Sequence, residues 1–171
     1  GFSYFGQEGT LGYPAVPNYE RYTVRMNSDY SVLKKNGRDV IVFGENITAT
    51  LTSKSGIAIG NNYYNSIRDL LVAPPILPAY NKAGEFYEYA DMQEEGGDFN
   101  QDCANPLAET YYDHGNNRTK GHRVHGNFYL QIMPIKELTI KSSAGVHFSH
   151  SDYRRYVPTY RLSGKTSNNT D

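Results

Sequence analysis

Four histidines fall into two H-x-x-H phrases, His122/His125 and His147/His150. Imidazole is a common metal ligand, but two rings without a third ligand make a weak zinc site, and polar side chains that satisfy one another give the same pattern. A second group is acidic: Glu85, Glu88, Asp91, Glu94, Glu95, Asp98 and Asp102. Its spacing lacks the D-x-[DN]-x-[DN]-G order of a calcium loop. Nothing local sets the carboxylate separation or raises the pKa that glycoside hydrolysis requires. A solvated acidic loop is the simpler reading, so no catalytic residue, metal or cofactor is expected, and a hydrolase with loop carboxylates is the weakest alternative.

Tyrosines offer more. Tyr63, Tyr64, Tyr87, Tyr89, Tyr111 and Tyr112 stand beside Asp and Asn. Aromatic faces next to carboxylates and amides suit sugar rings or peptides, which present C–H surfaces together with hydroxyl or amide groups. Packing of the loop on itself, or an aromatic girdle at a membrane interface, is the simpler account of any one of them. Asp152 and Arg154, with Arg155, are a further substrate-facing candidate, and surface ion pairing is their simpler explanation. The N-x-[ST] phrases at Asn46, Asn117 and Asn168 are sequons by pattern only.

The elements that position these residues are strands. From Arg123 to Ser151 the even positions Val124, Phe128, Leu130 and Ile132, then Leu138, Ile140, Val146 and Phe148, are apolar. The odd positions Arg123, His125, Asn127, Tyr129 and His147 are polar, which gives a hairpin with two unlike faces. Parity pairs Ile132 with Ile140, Phe128 with Ala144 and Val124 with Phe148, leaving Ile135, Lys136 and Glu137 as the turn. The same design recurs earlier. Asn36-Gly37 predicts a type I′ turn, pairing Val32 with Ile41, Tyr30 with Phe43 and Val24 with Ala49, while Arg25, Asn27 and Asp29 take the polar face. Glu45 breaks the pattern on the apolar face, where a bulge at Gly44 or a neighbouring strand would have to accommodate it.

Strands are therefore predicted over about 2–8, 21–34, 39–53, 121–134 and 138–162, with a long connection over 54–120. Within that connection Asn62 to Val72 has helical spacing, with Tyr63, Ile67, Leu70 and Leu71 on one side and Ala73-Pro74-Pro75 as its stop. Residues 81–119 read as loop. Tight turns at one end and long loops at the other are the layout of outer-membrane barrels.

Composition agrees with an all-β antiparallel meander. The 171 residues include 16 Tyr, 7 Phe and 16 Gly, with no Trp. A formal net charge of -1 argues against nucleic acid. One cysteine, Cys103, excludes an internal disulfide framework, and no run of 18 apolar residues forms a transmembrane helix, which leaves barrel strands open. The opening residues carry no signal-peptide pattern and the first strand enters mid-pattern, so a piece of a longer chain is expected.

The phrases YFGQEGTLG, YERYTVRMNSDYSV, VFGENITATLTSKSG, LLVAPPILPAY, ANPLA and RVHGNFYLQIMPIKELTIKSSAGVHFSHSDYRRYVPTY resemble, in order, the early barrel region of SusC-like TonB-dependent outer-membrane transporters. The likeness spans nearly the whole chain apart from roughly 81–102 and the last few residues. It implies a segment of a large transmembrane barrel with a plugged lumen, a class of about 22 strands. It further implies an extracellular 54–120 loop carrying the short helix, and lipid against the apolar face. Arg25, Asn27, Asp29, Arg123, His125, Asn127, Tyr129 and His147 would then face the lumen. The implied whole protein imports glycan or peptide nutrients across the outer membrane of a Gram-negative, Bacteroides-like bacterium, with a SusD-like surface lipoprotein. Its coupling to TonB runs through parts with no counterpart here. The rival is a free-standing soluble β-sheet module that binds carbohydrate, which would bury Val24, Met26, Ile47, Phe128 and Phe148 against one another.

Overall fold

The structure, a computed structural model, describes residues 1–10, 16–56, 66–96 and 104–168. The chain is all-β in its main element: a five-stranded antiparallel meander whose spatial order equals its chain order. Its strands are β1 (Phe2–Glu8), β2 (Asn18–Lys35), β3 (Arg38–Ser55), β4 (Arg118–Ile135) and β5 (Leu138–Arg154). Between β3 and β4 come α1 (Ser66–Val72), α2 (Tyr89–Glu94), α3 (Pro106–Glu109) and one π-helical turn, Thr110–His114. Contacts divide the chain into two units, the sheet (1–6, 20–53, 120–152) and the connections (7–19, 54–119, 153–171).

The β2–β3 pair carries the register that its turn dictates. Asn36 and Gly37 both have positive φ, 51° and 73°, as a type I′ turn requires. The Lys34–Asp39 ion pair at 3.7 Å confirms the pairing of β2 with β3. Arg38, beside this turn, donates to the carbonyls of Met133 and Pro134, beside the other, so both tight turns lie at one end of the sheet. Each histidine of β4 meets the predicted partner in β5: His125 with His147, ring centroids 4.2 Å apart, and His122 with His150 at 6.4 Å. Since His122 and His125 are three positions apart, the two pairs occupy opposite faces.

Two strand limits differ from the sequence reading. Ile135 belongs to β4, not to the turn, which is reduced to Lys136 and Glu137. β5 stops at Arg154 instead of continuing to Leu162. Pro158 has no N–H to offer a ladder, and the chain beyond it folds locally: Leu162 is fully buried and its N–H donates to Thr166 O.

A bulge at Gly44 is not used. Tyr129 lies over Gly44, and the place of a Cβ at Gly121 is 3.9 Å from Thr52 Cβ, so β3 and β4 keep one register on both sides of Glu45. Glu45 stays half-buried on the apolar face, where Phe43 and Phe128 stack at 6.3 Å.

No residue of the sheet's apolar stripe is buried. Val24 is 43% exposed, Met26 53%, Val32 63% and Phe148 58%, and every position of β5 is exposed. The buried apolar side chains among the described residues, Tyr87, Met92, Ala108 and Leu162, all belong to the connection unit. No described helix is long and apolar enough to cross a membrane.

The connection unit is less loop-like than its sequence suggests. Residues 81–119, read as loop, hold α2, α3 and the π turn. These run 6, 4 and 5 residues, too short for a helical period to register. They are fixed by caps instead: Asp91 Oδ2 accepts from Glu88 N, and Asn105 Oδ1 accepts from the N–H groups of Leu107 and Ala108 ahead of Pro106 at the first helical position. The predicted helix over 62–72 is observed from Ser66, its earlier residues lying outside those described. Its apolar side is not a core face, since Leu71 is 81% exposed.

Candidate binding site

A small hairpin builds the first wall. Asn81 Oδ1 accepts from the backbone N–H of Ala83 and of Glu85, each at 3.0 Å, while Gly84 takes φ 83°, which closes the chain between Tyr80 and Phe86. Their rings stack at 5.4 Å. Phe86 then meets Tyr111 at 5.2 Å and Tyr112 at 5.8 Å, and Tyr112 stacks on Tyr160 at 5.5 Å and 12°. The π turn matters here: it places consecutive Tyr111 and Tyr112 edge-on to each other at 5.6 Å, with both rings against Phe86.

Beside this aromatic wall lies a depression of about 530 Å³ lined also by Asn81, Glu85, Glu88 and Asp91. Tyr112 donates its hydroxyl to Glu88 Oε1 at 2.8 Å. Burial, and then that hydrogen bond, push the Tyr112 hydroxyl up to about 12. Asp91 accepts from Asn81 Nδ2 at 3.2 Å, so the polar floor is partly held by its own partners. Rings, amide and carboxylates together suit a ligand with C–H faces and hydroxyl or amino donors.

The tyrosines singled out from the sequence divide. Tyr111, 41% exposed, and Tyr112 belong to the wall. Tyr87 does not: it is 2% exposed and its hydroxyl donates to Glu95 Oε2 at 3.0 Å, so it packs. Burial, then Glu95, raise its pKa. Tyr89 carries the Arg161 guanidinium 4.4 Å from its ring centroid. Tyr63 and Tyr64 lie outside the described residues, as do Asp98 and Asp102. Asp152 contacts His150 at 3.1 Å, and Arg154 is exposed at the end of β5. Arg155 instead pairs with Asp113, whose hydrogen bond and charge raise the guanidinium pKa further.

Tyr80, Phe86 and Tyr160 are wall residues that the sequence reading did not mark. Tyr80 and Phe86 flank N-K-A-G-E, a legible turn signal, whereas Tyr160 has no local cue. Asn105 was equally legible as a cap before Pro106. It is 1% exposed, and its Nδ2 donates to Ala79 O at 2.8 Å and Tyr87 O at 3.3 Å, binding three separated segments together.

In the sheet unit a set of polar side chains gathers on the face opposite Glu45, His122 and His150. Tyr129 donates to Asp29 Oδ1 at 2.5 Å across Gly44, and Lys141 Nζ lies 4.0 Å from the Tyr129 ring centroid. One register step along, Asn46, Thr48, His125, Asn127 and His147 line a shallow depression of about 380 Å³. By the same registers Arg25, Asn27 and Arg123 stand on this face. No cluster of three or more His, Cys, Asp or Glu able to hold a metal occurs among the described residues. No protein-family model matches the chain, and no curated protein matches it.

Proposed function

We propose that this chain is a segment of an outer-membrane active transporter of the SusC-like type, in which the sheet is barrel wall and the 54–120 connection, with its short helix, faces the outside. The observation that carries this reading is the bare apolar face. β2 and β3 are each 18 residues long, and β2 puts Val24, Met26, Tyr30 and Val32 in solvent. In water such a face is a liability, whereas lipid is its natural solvent. At about 3.3 Å per residue these strands reach roughly 60 Å, enough to span a hydrocarbon core of about 30 Å even when strongly tilted. The open edges at β1 and β5 are then where further barrel strands pair. A soluble carbohydrate-binding module needs a second layer over Val24, Met26 and Phe148, and these remain exposed.

In this reading the polar face looks into the lumen and the whole protein imports glycan or peptide with energy from TonB and a SusD-like partner. The aromatic and acidic depression around Phe86 is a substrate-contacting surface. It lies largely in the stretch outside the family resemblance, as expected for the part that sets substrate choice.

The chain has no Trp, so single substitutions report cleanly. Phe148→Trp in bilayers of brominated lipid is expected to be strongly quenched and Ser149→Trp weakly. Equal quenching at both positions, or a folded chain that needs no detergent and shields Phe148, overturns the proposal.

A further inference from the structure

We propose that His125 and His147 form a bidentate site for a divalent transition-metal ion, with copper(II) bound most tightly. The two Nδ1 atoms are 3.0 Å apart, and the rings are tilted by 41°. Two nitrogens bound at about 2.0 Å to one ion stand about 2.8 Å apart at a right angle and about 3.3 Å apart at the tetrahedral angle. The observed separation falls between these values. Without metal, one Nδ1–H must donate to the other ring's lone pair; an ion takes the place of that shared proton.

The exchange balances simply. The donor ring's proton moves from Nδ1 to Nε2 through water, both rings stay neutral, and two water ligands leave the ion, so no net proton is released. The remaining coordination positions open onto the depression shared with Asn46, Thr48 and Asn127, whose amide and hydroxyl oxygens, or water, complete a tetragonal N,O set. No carboxylate lines that depression, and by register Arg123 and Arg25 share its face, which opposes any dication. Only the ion with the greatest affinity for imidazole overcomes that charge, which selects copper over zinc. His122 and His150 provide an internal control: their rings are 6.4 Å apart on the other face, and His150 is engaged by Asp152. The inference depends on the registers within the sheet and stands whether or not the sheet is barrel wall.

The test is titration of the full chain, held in detergent, with Cu²⁺ alone. Expected are one ion per chain, electron paramagnetic resonance showing two imidazole nitrogens, and selective broadening of the His125 and His147 ring signals. H125Q and H147Q should each weaken binding at least fivefold, with H122Q unchanged. A smaller loss in either variant, or an equal loss in H122Q, overturns the site. Should a variant fail to fold, broadening in the parent chain decides: broadening of His122 and His150 instead refutes the proposal.

Discussion

The Tyr129 hydroxyl donates to Asp29 Oδ1 at 2.5 Å although a whole strand separates their strands. The bridge exists because Gly44, on the intervening β3, has no side chain: a Cβ there would run into the Tyr129 ring and the Asp29 carboxylate. With Lys141 above the ring, one tyrosine ties β2, β3, β4 and β5 on the polar face.

Gly44→Ala is therefore expected to displace Tyr129 and destabilise the sheet by about 1–3 kcal/mol, the usual cost of overpacking. Tyr129→Phe, which keeps the ring, should cost less. Denaturant midpoints in detergent measure both. In a double-mutant cycle Gly44→Ala on a Tyr129→Ala background should cost clearly less than alone, and simple additivity would contradict the bridge.

Asn105 caps α3 and holds two other segments with one buried side chain. Asn105→Ala should cost about 2–4 kcal/mol, a lost cap together with the donor lost to Tyr87 O, while Ala79 O keeps the Tyr87 N–H. Hydrogen exchange at Leu107, Ala108 and Tyr87 should accelerate, with the sheet unaffected. Asn105→Asp retains the acceptor but not the donor, so it should fail to rescue the Ala79 and Tyr87 side.

Alkali should loosen the aromatic wall. The Tyr112 pKa rises from 10.0 to about 12 in the fold. A raised folded pKa means that the neutral phenol's contribution is fully present below pH 10 and is lost as pH climbs through about 12. Tyrosinate absorbance should show a late-titrating tyrosine coincident with loss of near-ultraviolet dichroism. Tyr112→Phe should remove that coincidence.

Glu109 works against its own unit near neutrality. Burial first, then Asp69 and Asp113, raise its pKa above the ordinary 4.5. The neutral carboxyl is the form the fold prefers, so its contribution is present in acid and lost as pH rises through the raised value. Glu109→Gln should raise Tm at pH 7, and that gain should vanish below the ordinary glutamate range. An equal gain at both pH values would assign the effect to something other than ionisation.

The sequence by itself determined the five strands apart from the ends of β4 and β5, the Asn36-Gly37 turn, which side chains share a face, and the facing of His125 with His147. Those features are local: alternation fixes faces and with them the parity of the β4–β5 register, and the Asn36-Gly37 turn fixes the β2–β3 register because it leaves the chain no freedom. Tertiary structure alone decided how β3 meets β4, since the long connection between them transmits no register. It therefore decided that Asp29 finds Tyr129 across Gly44. It also decided that Tyr87 packs while Tyr111 and Tyr112 form a wall with Phe86 and Tyr160. Such contacts join residues far apart in sequence through helices too short to have a period, so neither propensity nor pattern carries them.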